Sequence, residues 1–134
     1  LDTCRLAGLA DQVEVTDDLL EVDYGDYEGV TTADIRKTAP DWNLWRDGSP
    51  GGETIAQAAA RVDRVIAELR DLDGDAALFA HGHILRVLAA RWLELPGEEG
   101  GRFALSTATL SVLGWERETP VMWLWNDGSH LEST

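Results

Sequence analysis

The strongest indication of the fold comes from residues 76–86, Ala76-Ala77-Leu78-Phe79-Ala80-His81-Gly82-His83-Ile84-Leu85-Arg86. Its apolar start lacks polar alternation, which is typical of a strand covered on both faces, and an amphipathic pattern begins directly after the glycine. We therefore expect a buried strand over residues 76–80 and a helix from about residue 83 to residue 93. His81 then lies beside a helix amino end, where free N–H groups and the helix dipole bind anions, phosphate above all.

The rest of the chain continues this alternation of helices and strands. The longest helical pattern covers residues 53–72, and two strands, at 109–115 and 121–125, are predicted near the end. Residues 13–15 alternate and predict a short edge strand, while the acidic segment 17–29 predicts an ordered loop. Helices interspersed with strands in this way predict an α/β domain.

Length and charge limit the class of protein. The chain has 134 residues, 25 acidic and 11 basic, with a formal net charge of −14. We expect one domain over 1–134 with a loose tail at 127–134, and no nucleic-acid or membrane partner, because an acidic surface repels both. Cys4 is the single cysteine, which excludes an internal disulfide and favours a cytoplasmic location. The chain opens at Leu1 in mid-helix, so we expect a piece of a longer protein.

His81 is the first candidate for chemistry, against the alternative of a hydrogen-bonded structural histidine. Gly82 has no side chain and allows a ligand to approach the backbone. His83 forms a His-x-His pair with His81, which can indicate zinc, with His130, Cys4 or a carboxylate as a third ligand. Because the pair spans a strand–helix junction, the two rings should diverge. We therefore expect no metal and no cofactor, and expect His83 to line a pocket or lend its N–H to an anion.

Residues 21–29 contain four carboxylates and form the second cluster. The spacing does not match a calcium loop, so the alternatives are a solvated loop or one carboxylate near His81 that acts as a general acid. Gly25 and Gly29 indicate that the chain here packs closely against another segment.

Five further side chains have open interpretations. Glu53 is either a helix-start residue or a residue turned toward the pocket. Arg61 and Arg86 both fit the protein surface, and Arg86, one turn past the glycine, can alternatively orient a carboxylate or a phosphate. Trp42 and Trp45 fit the core or a pocket wall.

Taken in order, several motifs resemble those of a known family. Residues 20–29 look like a Leu-x-Glu…Gly…Glu-Gly loop, and residues 50–54 are similar to a Gly-Gly-Glu-Ser/Thr helix start. Residues 80–86 look like a second histidine motif, and residues 107–113 match the strand that follows it. The chain thus resembles, over nearly all its length, the histidine phosphatase superfamily, and in particular bacterial broad-specificity acid phosphatases. The resemblance implies a three-layer α/β sandwich with a mostly parallel central sheet, here without its first strand.

The resemblance also implies a mechanism. In the family, the histidine of an Arg-His-Gly motif attacks a phosphomonoester, and water then cleaves the phosphohistidine. By resemblance, His81 stabilises the phosphoryl charge and Glu21 protonates the leaving oxygen and activates water. The backbone at Gly82 and His83 holds a phosphate oxygen of a small phosphorylated substrate.

The sequence also departs from the family's motifs, and these departures bear on the expected activity. The sequence contains no Arg-His-Gly, and the family's second phosphate-binding arginine has no counterpart. We therefore expect a phosphatase in the intact protein but no turnover by this chain alone. A non-catalytic relative that binds phosphorylated ligands or a partner protein, a mutase and a metal hydrolase are the alternatives. The short loop 47–52 favours hydrolysis over mutase chemistry. An edge left by a missing strand also leaves a homo-oligomer open.

Overall fold

Two helices form the centre of the fold in the computed structural model, which describes residues 1–131. They are α4 (Ile55–Arg70) and α5 (Gly82–Trp92), and each buries its apolar stripe against the other. Three short helices precede them, and a β-hairpin follows them along the chain. Their bounds are α1 Asp2–Leu6, α2 Thr32–Ile35, α3 Leu44–Asp47, β1 Leu110–Glu116 and β2 Thr119–Asp127.

Helix α4 begins with a complete capping box. The Thr54 hydroxyl accepts from the Gln57 N–H at 3.1 Å, and the Gln57 side-chain oxygen accepts from the Thr54 N–H at 2.8 Å. These bonds satisfy two donors that a helix amino end otherwise leaves free. The predicted helix is thus confirmed, within the range 53–72.

Helix α5 confirms the amphipathic pattern that follows the glycine. His81 caps it in extended backbone, with φ −130° and ψ 163°, and the helix starts at Gly82, slightly earlier than predicted. Ile84 and Val87 have no exposed surface. At the other end, the Trp92 indole donates to the Gly114 carbonyl at 3.0 Å, which ties the helix to the hairpin.

The hairpin confirms the two predicted strands, the first shifted by one residue and the second longer than expected. Strands β1 and β2 pair antiparallel, with Leu113 opposite Met122 and Glu116 opposite Thr119. Arg117, at φ 56°, takes the left-handed conformation that the tight turn requires. This is the one sheet formed by residues 1–131.

The predicted buried strand at residues 76–80 is wrong for this chain. In the part of the chain that the structure describes, no strand forms there and no backbone hydrogen bond is made. Phe79 is 39% exposed, whereas Leu78 and Ala80 pack against the core from one side. An apolar run becomes a strand only when a neighbouring strand takes up its N–H and C=O groups, and none of the described residues does so.

The edge strand predicted at residues 13–15 is also wrong. Val13 and Val15 are exposed, and no strand is formed at this position. Three residues without a sheet to join gain too few hydrogen bonds to hold an extended conformation.

The remaining predictions on organisation concern the ends of the chain and the membrane. Asp127 ends β2, Ser129–Leu131 forms a single 3-10 turn, and the rest of the predicted tail lies outside the described residues. Cys4 is buried and unpaired. Within residues 1–131, no helix combines the length and apolarity needed to cross a bilayer.

Candidate active site

Glu21 lies at the amino end of α5. One carboxylate oxygen, Oε1, accepts from the N–H groups of Val22 and Ile84, both at 2.9 Å, and Oε2 accepts from the His83 N–H at 3.2 Å. Three backbone donors and the positive end of the helix dipole stabilise the negative charge. The helix amino end predicted to bind an anion thus holds the chain's own carboxylate in this structure.

His81 and Gly82 lie at the open side of the same helix end. His81 is exposed, and its side chain makes no hydrogen bond to any residue among 1–131. A Cβ atom built on Gly82 would meet nothing within 4 Å, so the space in front of this residue is free. The fold thus leaves room for a ligand at the two residues predicted to face one.

His83 turns away from His81 and into an aromatic cluster. Its Nδ1 lies 2.5 Å from the Tyr24 hydroxyl, and its ring packs edge-on against Tyr24 and Trp45, with centroids 5.6 and 5.7 Å apart. Burial lowers the pKa of the His83 imidazole. Burial also raises the pKa of the Tyr24 phenol, and the nearby Glu21 carboxylate adds to this effect. The His83 imidazole and the Tyr24 phenol therefore share this hydrogen bond as neutral groups. The Nδ1 atom of His83 also lies 3.9 Å from Glu21 Oε2.

Metal ligands do not converge in the described structure. No three His, Cys, Asp or Glu side chains among residues 1–131 come close enough together to hold an ion. His83 contacts Tyr24 instead, and His130 Nε2 lies 2.9 Å from the Ala108 carbonyl oxygen.

Arg86 is engaged with the protein itself. Its guanidinium lies 4.7 Å from the centre of the Trp45 ring and donates to the carbonyls of Gly100 and Gly101, both at 3.2 Å. Trp45 is half-buried and packs against the core. Arg86 and Trp45 therefore fix the turn at Gly97–Arg102 beside the site.

The acidic loop, residues 17–29, confirms the predicted ordered loop, and Arg61 holds it. Arg61 donates through Nη1 to the carbonyls of Asp18 and Leu20, at 2.9 and 2.7 Å, and through Nη2 to that of Glu21 at 3.2 Å. The same guanidinium binds both carboxylate oxygens of Glu53, at 2.6 and 3.2 Å. Arg61 is only 13% exposed, so its predicted surface position is wrong, and Glu53 is turned inward.

The acidic loop also makes a direct main-chain contact with the turn that precedes α4. The Asp23 carbonyl accepts from the Glu53 N–H at 3.0 Å. A Cβ on Gly25 would lie 2.3 Å from the Gly52 nitrogen, so only glycine fits this contact. The predicted close packing is confirmed for Gly25 and wrong for Gly29, where a Cβ would meet nothing within 4 Å.

Sequence reasoning missed Arg61, although the helical spacing contains a signal. Arg61 lies three residues after Ala58 and four before Val65, and both are buried on α4. A charged side chain between two buried positions of one helix face must either reach solvent or find partners inside.

Comparisons with known proteins agree with this geometry. The family model of the histidine phosphatase superfamily (branch 1) matches residues 1–128, and the chain therefore belongs to this superfamily. It is 47% identical over 118 residues to an acid phosphatase of Mycobacterium tuberculosis, a match that covers 87% of this chain and 58% of that protein.

Two further comparisons extend the match. Sedoheptulose 1,7-bisphosphatase of Saccharomyces cerevisiae is 43% identical over 102 residues, which cover 63% of this chain and 37% of that enzyme. A solved structure of a Mycobacterium tuberculosis open reading frame superposes with a TM-score of 0.89 at 41% identity, covering 94% of this chain and 66% of that one. The resemblance seen in the motifs is confirmed, as is the α/β class, and the chain spans less than two thirds of each of these relatives.

Proposed function

We propose that the intact protein hydrolyses small phosphomonoesters, with His81 and Glu21 as catalytic residues and the backbone of Gly82 and His83 as the phosphate-binding part of this chain. One observation carries the proposal. In a member of the histidine phosphatase superfamily, the Glu21 carboxylate lies on the amino end of α5, the helix that His81 caps. The two relatives with named activities are both phosphatases.

The reaction proceeds in two displacements. A histidine nitrogen from residues outside this chain attacks phosphorus, the ester P–O bond breaks, and the leaving oxygen takes a proton from Glu21. Water then attacks the phosphohistidine, the P–N bond breaks, and Glu21 takes back a proton from the water. His81 and the helix amino end stabilise the charge on the phosphoryl oxygens.

The two oxygens of Glu21 have different roles in this scheme. Oε1 keeps its bonds to the N–H groups of Val22 and Ile84, which hold the side chain in place. Oε2 has one longer bond, 3.2 Å, to the His83 N–H. An arriving phosphate oxygen takes over this N–H, so Oε2 becomes free for proton transfer.

The proposal for the fold concerns the segment at 76–80, which forms no backbone hydrogen bond with the described residues. We place it in a mostly parallel central sheet of a three-layer sandwich, beside a strand that carries the nucleophilic histidine. Leu78 and Ala80 already pack against the core, so one face of that sheet is covered by the helices of this chain.

A turnover assay tests the function. We expect the intact protein to hydrolyse an aryl phosphate and a trapped, acid-labile phosphohistidine to accumulate when Glu21 is replaced by Gln. His81→Ala should reduce kcat by at least about 100-fold, as loss of a charge-stabilising donor does elsewhere. The 134-residue chain alone should be inactive. Clear turnover by the purified chain, abolished by His81→Ala, would contradict the role of an outside nucleophile.

A further inference from the structure

We propose that Arg61 and Glu53 are positioning residues that hold Glu21 where it can exchange a proton with the leaving group. This inference rests on the proposed function, because it assigns a purpose to Glu21. Neither side chain reaches the helix end itself. Both act on the main chain that carries the carboxylate, and they do so from α4 and the turn before it.

The contacts of Arg61 are directed at backbone oxygens. Its guanidinium donates to the carbonyls of Asp18, Leu20 and Glu21, so it fixes three points within four residues of the acidic loop. A planar guanidinium has five N–H donors in a rigid fork, and here all of these contacts and those to Glu53 are made by one side chain. Only an arginine can reach this set of acceptors at once.

Glu53 extends the same arrangement to the other side of Glu21. Its Oε1 accepts from Arg61 Nη2 at 2.6 Å and from the Asp23 N–H at 3.0 Å. The pair therefore holds the loop at Leu20, before the catalytic carboxylate, and at Asp23, after it. Since Glu53 and Arg61 are 18% and 13% exposed, loss of either partner leaves a largely buried charge unpaired.

Arg64 provides a matched control on the same helix. It binds the Asp18 carboxylate through Nε at 3.1 Å and Nη2 at 2.6 Å, so it too connects α4 with the acidic loop. It is 61% exposed and makes no hydrogen bond to any of residues 20–23. A variant of Arg64 thus removes an ion pair to the loop and leaves the neighbourhood of Glu21 intact.

The decisive experiment compares leaving groups in the intact protein. A displaced general acid harms esters whose alkoxide leaves poorly, such as alkyl phosphates, far more than a nitrophenyl ester whose leaving group needs no proton. The first displacement, in which Glu21 gives its proton to the leaving oxygen, is followed in single turnovers by release of the alcohol or nitrophenol. We expect Arg61→Gln and Glu53→Gln to slow this release from an alkyl phosphate by roughly 100-fold. KM and the single-turnover release of nitrophenol from nitrophenyl phosphate should change much less. Arg61→Lys should recover part of the loss, and Arg64→Gln should behave as wild type.

Glu21→Gln serves as the reference for these variants. If it shows the leaving-group dependence and Arg61→Gln does not, the positioning role is overturned and the proposed function stands. If Glu21→Gln shows no such dependence, the acid role itself fails. An equal loss of the single-turnover release rate on both esters for Arg61→Gln and Glu53→Gln would likewise overturn the inference, because it would indicate a role in folding only.

Amide hydrogen exchange in the 134-residue chain gives a readout that does not depend on turnover. The Ile84 and His83 amides are protected by Glu21, so Arg61→Gln should speed their exchange while amides inside α4 keep their protection. Arg64→Gln should leave both amides unchanged. Unaltered protection of Ile84 in the Arg61 variant would contradict the inference.

Discussion

Two segments meet at the amino end of α5, and they are held in very different ways. The acidic loop that delivers Glu21 is fixed by Arg61, by Glu53 and by backbone contact with Gly52. The segment at 76–80 that delivers His81 packs with one side against the core and makes no backbone hydrogen bond to any of the described residues. The chain therefore prearranges one of its two proposed catalytic side chains by itself. The other depends on a sheet that residues 1–131 do not form.

The difference follows from the kind of interaction available to each segment. A loop can be held by side chains from a neighbouring helix, because carbonyl groups accept bonds from any correctly placed donor. A strand needs another strand along its whole edge.

The largest expected effect comes from Ile84, the buried residue of α5 whose N–H binds Glu21 of the acidic loop. Ile84 has no exposed surface, so Ile84→Ala should lower the free energy of unfolding by about 4 kcal/mol. Phe79→Ala, in the segment at 76–80, should cost less than about 1 kcal/mol because its ring is partly exposed. Urea denaturation of the two variants measures this contrast. Equal losses would show that the two segments are equally well packed.

A second variant tests the backbone contact of the acidic loop. Gly25 has φ 52°, and a Cβ there would lie 2.3 Å from main-chain atoms of Gly52 and Pro50. Gly25→Ala should therefore lower the free energy of unfolding by about 3 kcal/mol. Gly29 also has positive φ but open space around it, and Gly29→Ala should cost only about 1 kcal/mol. Thermal or urea unfolding measures both, and a Gly29 variant as damaging as that of Gly25 would argue against the close approach.

The pH dependence of stability tests the burial of His83. Because burial lowers the pKa of its imidazole, the unfolded chain binds the proton more readily than the folded one. The stability that comes from keeping the His83 imidazole neutral is fully present above its ordinary pKa of 6.5. It is lost as pH falls through the lowered pKa of the folded state. We expect the free energy of unfolding to fall from about pH 8 to about pH 5, with a shallower slope in His83→Asn. Identical slopes would place the ring in solvent.

The smallest effect is expected for the exposed ion pair of the loop. The hydrogen bond from Arg64 lowers the pKa of the Asp18 carboxyl, yet Arg64 lies in solvent. Arg64→Ala should barely alter the urea midpoint, and the small difference should vanish at high salt, since exposed pairs are screened. A large loss would mean that the surface pair, and not the Arg61 network, holds the loop.

Local patterns in the sequence predict much of the fold. The helix over Ile55–Arg70, the helix after His81 and the hairpin follow from capping residues, apolar spacing and turn residues. These elements satisfy their own backbone groups, so a local signal suffices. The run at 76–80 carries the same kind of signal and still forms no strand, because none of the described residues pairs with it.

The candidate site, too, could be predicted only where adjacent residues determine it. His81, Gly82 and His83 could be placed at a helix amino end from adjacent residues alone. That the Glu21 carboxylate occupies the N–H groups of His83 and Ile84 depends on a contact across 62 residues, which no local pattern encodes. The role of Arg61 rests on carbonyl oxygens, which every residue has, so the sequence of the loop contains no mark of it.

That last property has an evolutionary consequence. The Arg61 and Glu53 contacts recognise the path of the main chain, so side chains in the loop can be exchanged without loosening it. Leu20, for example, is 56% exposed, and its hydrogen bonds are made by its main chain, with its N–H donating to the Asp17 carbonyl and its carbonyl accepting from Arg61. Relatives could thus acquire new loop residues, and with them new substrate preferences, while the same acid stays in register with the same helix. Divergence of specificity would then require no rebuilding of the proton-transfer apparatus.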